Sequence, residues 1–369
     1  MYAGFLQPLI PALVDHVGVR LALMTSLAAA CQIVVNGIQP VAGWATTRCH
    51  RCGFLLFGPA LALLMALMGL PTSYAVLAAV VLMAHVGIGV YHPDALVAAH
   101  DASGARAHLG VPFFLSGGYV GFSLGAWVST QWVALFGFEG FWLLAIPGVA
   151  VVGLIVLTGV ARHRTDAPAP PHQVASTRGD LSFYRLAVLG TFVVTGTVML
   201  FMFLNVDLKA RWGTAGLAWG GRALSVIGLA GALASYLWGW LSSRRSPFVL
   251  IAVGQLLCAP LFLMMITART PLGLMLWSAP TGVFLGGAFF PLIATAARRS
   301  PQLTPVLRAG LIMGGSWGVA NLIAMGCGWL TDFGVTAGTI LRWNVAPMIV
   351  AAALAVSIHI HRRGMREVR

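Results

Sequence analysis

Four ionisable side chains lie inside long apolar stretches of this sequence. His85, His92 and Asp94 belong to one stretch, and Arg222 belongs to another. Charge is costly in an apolar setting, so each of the four is a candidate functional residue. A carboxylate or an imidazole can exchange a proton near neutral pH when its surroundings shift its affinity. A guanidinium can bind an anion by charge and paired hydrogen bonds.

Asp94 has two interpretations. It follows Pro93, a residue that cannot donate a backbone hydrogen bond and should bend the helix there. Desolvation could make Asp94 a proton-binding carboxylate. Alternatively, Asp94 is a gate residue that pairs with Arg48 or Arg106 when the protein closes at its inner side, which is the cytoplasmic side in the topology predicted below. Because Asp94 lies about five residues from the predicted inner end of its helix, its shallow depth favours the gate.

The other three residues also have plainer interpretations. His85 and His92 are seven residues apart and so share roughly one face of a helix. They could relay protons, or they could be neutral and hydrogen-bonded between helices. Arg222 could contact an anionic substrate such as a phosphonate or carboxylate. It could instead extend to the outer surface or pair with Asp207.

The elements that must hold these residues are membrane-spanning helices. Of the 369 residues, 59% are hydrophobic and only 8% are charged, whereas an average soluble domain is about 25% charged. Apolar runs long enough to cross a hydrocarbon core of about 30 Å recur along the chain. We predict an all-α polytopic membrane protein with about twelve helices. The predicted spans are 1–14, 20–42, 54–70, 74–99, 108–136, 140–160, 185–206, 216–241, 247–267, 271–296, 305–331 and 340–360.

The first predicted span, 1–14, is short. As a helix it reaches about 21 Å, less than the hydrocarbon core. We expect either a half-helix or the second part of a longer one. It does not resemble a signal peptide, because it has no basic segment and Asp15 stands where a cleavage site would need small residues.

The net charge of +13 predicts membrane topology, not nucleic-acid binding. With the N-terminus placed inside, about three quarters of the 22 Lys and Arg fall in inner loops and the C-terminal tail. Inner loops of membrane proteins carry this excess of positive charge. We therefore predict that both termini are cytoplasmic. We also expect the protein to lie in a bacterial inner membrane, surrounded by lipid.

Two similar halves are predicted around residues 161–184. This segment contains several Pro and Arg residues and is typical of a flexible cytoplasmic linker. We assign residues 1–160 and 185–369 to two six-helix halves, the second with a short basic tail. Two such halves around a midplane site are typical of alternating-access carriers. Landmarks recur at an offset of about 200 residues, namely Gly43-Trp44 with Gly239-Trp240, Pro93 with Pro291, and Gly121 with Gly318.

Small residues are candidates for close helix packing, and polar residues within the predicted spans are candidates for lining a substrate path. Glycines let helix backbones approach closely, either as static packing or as a sliding gate. Each polar candidate could line a path or simply hydrogen-bond between helices. The packing candidates are Gly117, Gly118, Gly121, Gly125, Gly314 and Gly318, and the path candidates are Asn36, Gln39, Tyr119, Asn205, Trp317 and Asn321.

Signatures of enzymes and metal sites are missing from the sequence. There is no Walker loop, and no two carboxylates lie close together within the predicted spans. Cys49 and Cys52 form a C-x-x-C in which only His50 offers a further ligand, so reduced loop thiols are favoured over a metal site. We predict no enzyme activity, no cofactor and no metal.

The sequence resembles the major facilitator superfamily. The six-plus-six pattern, the central linker and the Gly-Trp…Arg loops after helices 2 and 8 carry this resemblance. Its best local match is to the fosmidomycin-resistance group. That match rests on Gly-Ile-Gly-Val-Tyr-His-Pro-Asp-Ala at 87–95 and on the Gly-rich stretch at 116–125. Residues 2–11 resemble the second half of the first helix of that group.

The sequence also departs from that group. Its members usually carry an Asp in the loop after helix 2, where this chain has Thr47, and the equivalent place after helix 8 holds Ser243. The inward-side charge lock of the group is therefore weakened here, which bears on proton coupling.

The resemblance implies a secondary transporter that exports a small drug-like molecule or metabolite in exchange for protons. We expect a monomer. Two alternatives stay open. One is an importer of an anionic metabolite in which Arg222 clamps the substrate. The other is a non-transporting membrane scaffold or sensor, which the short first helix and the missing loop Asp would favour.

Overall fold

The computed structural model describes residues 1–49, 53–103, 107–160, 183–287, 292 and 305–367. These residues form α-helices and short 3-10 helices, and no strand occurs among them. Within this part of the chain, six segments are both long and apolar enough to cross a membrane. The number of about twelve spans therefore stays a prediction. The chain separates into two compact units, 1–171 and 172–369, and the boundary falls inside the segment predicted as a linker.

The first unit has six described α-helices. Three 3-10 turns, Tyr2–Gly4, Leu63–Leu67 and Phe141–Ala145, precede or extend them. Each helix overlaps one predicted span. The helices are α1 (Leu6–Val17), α2 (Leu21–Cys49), α3 (Phe54–Ala62), α4 (Tyr74–Ser103), α5 (Ala107–Phe136) and α6 (Ile146–Thr158).

Glycines allow the close packing in this unit. Gly58 of α3 and Gly87 of α4 face each other so closely that a Cβ on either would overlap the carbonyl oxygen of the other. On the other side of α4, Gly89 lies against Val35 and Ile38 of α2. The helix carrying Asp94 is therefore held between α2 and α3 by backbone contact.

The second unit contains α7 (Phe183–Arg244), which is two helices with no loop between them. Its 62 residues would extend for about 93 Å if straight, three times the thickness of a bilayer core. Gly213 interrupts the helix with φ 61° and ψ −142°. Glycine adopts this conformation readily because it has no Cβ. Gly216 lies against Leu208 and Gly220 against Asn205. The two arms, 183–212 and 214–244, therefore run side by side in opposite directions.

This turn corrects the predicted boundaries. The spans 185–206 and 216–241 leave a loop over 207–215, but that stretch is helical except at Gly213. A single glycine with positive φ reverses the chain, so no loop residues are needed.

The remaining described helices of the second unit are α8 (Pro247–Ile266), α9 (Pro271–Gly287), α10 (Pro305–Leu330), α11 (Ala337–Trp343) and α12 (Val345–Glu367). A 3-10 turn, Thr331–Phe333, follows α10. Side-chain hydrogen bonds connect α9 and the junction of α11 and α12 to α7. The Trp238 indole N–H donates to the Val283 carbonyl at 2.9 Å, and the Asn344 amide donates to the Gly196 carbonyl at 2.9 Å. Asn344 also separates α11 from α12 inside the predicted span 340–360.

Candidate functional site

In the first unit, Asp94 is buried in α4. Its exposed fraction is 2%. The helix continues to Ser103, nine residues beyond Asp94 and not the roughly five expected. Asp94 therefore lies about 13 Å from the end of its helix, measured along the axis. The apolar part of the helix, however, ends at Leu96, so the longer helix leaves Asp94 at the shallow depth that favours the gate interpretation.

The surroundings of Asp94 bring α2 close to it. A Cβ on Gly43 of α2 would lie 3.8 Å from Cβ of Pro93. Of the two proposed gate partners, the side chain of Arg48 and the whole of Arg106 lie outside the described residues. Arg48 itself stands in the last turn of α2. The pairing of Asp94 with either arginine stays a prediction.

His85 and His92 differ in burial although they share one face of α4. His85 is 1% exposed, whereas His92 is exposed. Each Nδ1 lies close to a carbonyl oxygen one turn earlier, at 2.8 Å from Val81 and 2.6 Å from Ile88. A carbonyl oxygen only accepts, so each Nδ1 carries the hydrogen when the ring is neutral, and the bond is within the helix. In His85, this leaves Nε2 as a buried acceptor with no partner among the described residues.

The path candidates of the first unit are partly open. Asn36 and Gln39 are half-buried on α2, and Tyr119 on α5 is 38% exposed. The Asn36 amide donates to the Gln32 carbonyl of its own helix at 2.8 Å. These positions leave their role in a path as a prediction.

Two of the packing glycines lie against the start of the chain. A Cβ at Gly125 would overlap the Met1 carbonyl oxygen, and a Cβ at Gly121 would be 2.9 Å from the Met1 nitrogen. Gly4 in turn lies against the Phe122 carbonyl. The first turn of the chain thus crosses α5 at its glycines.

The other packing glycines behave differently. For Gly117, Gly118 and Gly318, no atom of the described residues comes within 4 Å of an added Cβ. Gly314 is half-buried on α10. A packing or gating role for these four stays a prediction.

In the second unit, Arg222 lies two turns into the second arm of α7. Its guanidinium carbon is 4.4 Å from the centroid of the Trp219 ring, and the side chain is half-buried. Asp207, one of the partners considered for Arg222, is 2.6 Å from Arg211. Asn205 is fully buried in the first arm, facing Gly220. Arg222 therefore occupies the same end of the hairpin as an existing ion pair.

Trp317 and Asn321 lie one turn apart on α10. Trp317 is half-buried and Asn321 is fully buried. The Asn321 amide donates to the Trp317 carbonyl at 2.9 Å, and its side-chain oxygen has no partner within the described part of the chain. A neighbouring hydroxyl, Ser316, donates to the Ala187 carbonyl at 3.2 Å, which joins α10 to the first arm of α7.

The sequence analysis missed several buried polar residues, among them Gln255 on α8 and Thr281 on α9. Both are 0% exposed. The Gln255 side-chain nitrogen and oxygen have no hydrogen-bond partner in the described ranges. The Thr281 hydroxyl also has none there. The only sequence signal for Gln255 is one amide side chain in an otherwise apolar run. Buried polar groups without partners are costly, so these two belong with the candidates.

Among the described residues, no group of three His, Cys, Asp or Glu side chains could hold a metal ion. His50 and Cys52 of the C-x-x-C segment lie outside those residues. The candidate chemistry is therefore that of single titratable or hydrogen-bonding groups placed along helices.

Solved transporters resemble this chain in fold. A bacterial homologue of the human lysosomal transporter Spinster, inward-facing and occupied, matches with a TM-score of 0.71 and 15% identity, covering 96% of this chain and 93% of that one. A POT family transporter in complex with 5-aminolevulinic acid gives 0.77 and 15%, covering 98% and 93%. The nucleoside transporter NupG gives 0.66 and 14%, covering 99% and 96%.

At the sequence level, no curated protein matches. The profile of the Major Facilitator Superfamily matches residues 1–325, which is most of the chain. Together with the apolar helices of both units, this match identifies an integral membrane protein with a transporter fold, and the chain belongs to the Major Facilitator Superfamily.

Proposed function

We propose that this protein is a secondary active transporter that exports a small drug-like molecule or metabolite in exchange for protons. The observation that carries the proposal is the burial of Asp94 beside Pro93 in α4. A carboxylate buried in an apolar segment must be protonated or engaged by charge and hydrogen bonds. An antiporter needs a group that alternates between these two states.

The position of Asp94 fits such a group. It is 2% exposed, so exchange of its proton with water requires a change in the surrounding helices. Arg48 and Arg106 are its proposed partners when it is ionised. The buried acceptor nitrogen of His85, nine residues earlier on α4, is a second proton-binding candidate. The direction of transport rests on the resemblance of 87–95 and 116–125 to the fosmidomycin-resistance group.

The proposal includes a topology. The excess of Lys and Arg in alternate loops supports a cytoplasmic position for both termini. The start of α7 and the end of α12 would then face the cytoplasm, and the Gly213 turn would face outward. We infer a monomer in a bacterial inner membrane.

The test is proton release from energised everted vesicles when a panel of drugs and organic anions, fosmidomycin included, is added. Vesicles without the protein are the control. We expect at least one compound to release protons only when the protein is present. If no compound of the panel releases protons although the protein is inserted, proton-coupled export is contradicted. Import or a scaffold role would then be favoured.

Arg222 supports a second candidate function, the import of an anionic metabolite. Its guanidinium carbon lies 4.4 Å from the centroid of the Trp219 ring, and the side chain is half-buried. A guanidinium held by an aromatic face is well suited to bind a carboxylate or phosphate. The two functions differ in which residue they depend on, Asp94 or Arg222.

A further inference from the structure

A groove runs along the surface of the second unit between the start of α7 and the end of α12. It encloses about 430 Å³, within the range of small-molecule sites, roughly 300–1,000 Å³. None of the residues proposed for transport lines it. Its lining residues include Tyr184, Arg185, Val188, Leu354, Ser357 and His361. We refer to it as the α7/α12 groove.

The groove is polar at one end and apolar at the other. Arg185 lies in the first turn of α7, and His361 lies in the last turns of α12, so these groups meet at the same end of the unit. Val188 is one turn further along α7. Leu354 is seven residues before His361, or about 10 Å along α12. A ligand that fills the groove would therefore place an anionic group at Arg185 and an apolar chain on Val188 and Leu354.

The walls of the groove are fixed by packing and a hydrogen bond. Leu186 and Leu189 of α7 and Ala355 of α12 are fully buried, and these two helices pack against each other. Near the end of α12, the His359 ring lies 3.0 Å from the Ser246 hydroxyl. The residues facing the groove remain open, with Tyr184 77% exposed and Val188 47% exposed.

Charge and surroundings indicate the occupant. Tyr184, Val188 and Leu354 belong to segments apolar enough to cross a membrane, so their exposed surface can contact lipid chains. Arg185 brings a permanent positive charge to the polar end, and Arg362 and Arg363 follow His361 in the sequence. A basic pocket beside membrane helices on the cytoplasmic side is suited to an anionic lipid headgroup.

We propose that the α7/α12 groove binds an anionic phospholipid of the inner leaflet. Arg185 and the His361 imidazole hold its phosphate, Tyr184 lies beside the headgroup, and one acyl chain follows Val188 and Leu354. The assignment to the inner leaflet rests on the topology proposed above. Binding of the lipid itself does not depend on that topology or on any transport activity.

The test is native mass spectrometry of the purified full-length protein in detergent with phosphatidylglycerol and phosphatidylethanolamine. We expect selective retention of phosphatidylglycerol. Arg185→Gln should weaken that retention about fivefold, the effect of one cation near an anionic headgroup. Ser357→Trp, which fills the groove without changing charge, should also reduce it. Arg245→Gln removes one charge outside the groove at the same end and should leave retention unchanged.

Three outcomes would overturn the proposal. One is equal retention of the two lipids. Another is an equal effect of Arg185→Gln and Arg245→Gln. The third is displacement of the lipid by inorganic phosphate alone, because phosphate cannot contact Val188 or Leu354 and would then be the occupant. A transport assay that fails while lipid retention follows the expected pattern would contradict the proposed function and leave the groove assignment standing.

Discussion

Arg211 and Asp207 form an ion pair of 2.6 Å at the tip of the α7 hairpin. The same guanidinium donates to the carbonyls of Ile266 and Ala268, each at 3.0 Å. The planar fork of Arg211 thus joins its own arm to the C-terminal end of α8 while it holds a carboxylate one turn away. Gly338 lies against the same carboxylate, so the start of α11 meets this point as well.

We expect Arg211→Lys to destabilise the second unit. A single ammonium group cannot reach the Asp207 carboxylate and both carbonyls at once. The loss of hydrogen bonds should cost about 1–2 kcal/mol. The apparent melting temperature of the purified protein should fall by a few degrees, while Arg269→Lys, an exposed neighbour, should leave it unchanged. Equal melting temperatures for both variants would show that the fork contributes nothing to stability.

We expect Gly220→Ala to destabilise the hairpin, because the new Cβ would overlap the Asn205 amide oxygen. Overpacking of this kind typically costs about 1–3 kcal/mol. Gly239→Ala is the matched control on the same arm, since no described atom lies within 4 Å of its Cβ. Melting temperatures in detergent would compare the two.

A double variant sharpens that test. If Asn205 is the cause of the strain, Asn205→Ala should rescue part of the loss in Gly220→Ala. A loss that stays the same in the double variant would place the strain elsewhere.

We expect Asp94→Asn to uncouple transport. The amide keeps the shape of the carboxylic acid but cannot release a proton, so transport driven by a pH gradient should be lost while exchange of substrate across the membrane persists. Glu139→Gln, which changes an exposed carboxylate, is the control. Flux measured in proteoliposomes with and without a pH gradient would decide the matter. Intact gradient-driven transport in Asp94→Asn would remove this residue from the mechanism.

The Arg222→Gln variant separates the two proposed functions. If Arg222 clamps an anion, the loss of a charged hydrogen-bonding partner, worth about 1.5–3 kcal/mol, should weaken anion uptake tenfold or more. Proton-coupled export that depends on Asp94 should be affected less. Arg269→Gln controls for the loss of positive charge. Uptake that is unchanged in Arg222→Gln would remove support for the importer.

Much of the local structure follows from composition and from the proline and polar residues at which helices begin and end. The predicted span 247–267 corresponds to α8, Pro247–Ile266, because proline is well suited to the first turn of a helix and polar residues follow its end. The resemblance to the superfamily is confirmed by the profile match. The fosmidomycin-resistance group stays a proposal, because the motifs that support it cover a small part of the chain.

Other features depended on which parts of the chain meet. His85 and His92 have the same residue type, the same face and the same bond to the preceding turn, yet only His85 is buried. The loop expected between the arms of α7 is replaced by Gly213, and the polar side chain of Gln255 lies fully buried. Apolar composition determines that helices form in lipid, because every backbone group must bond within its own segment. Which side of a helix is enclosed depends on neighbours far away in sequence, and only the tertiary structure decides it.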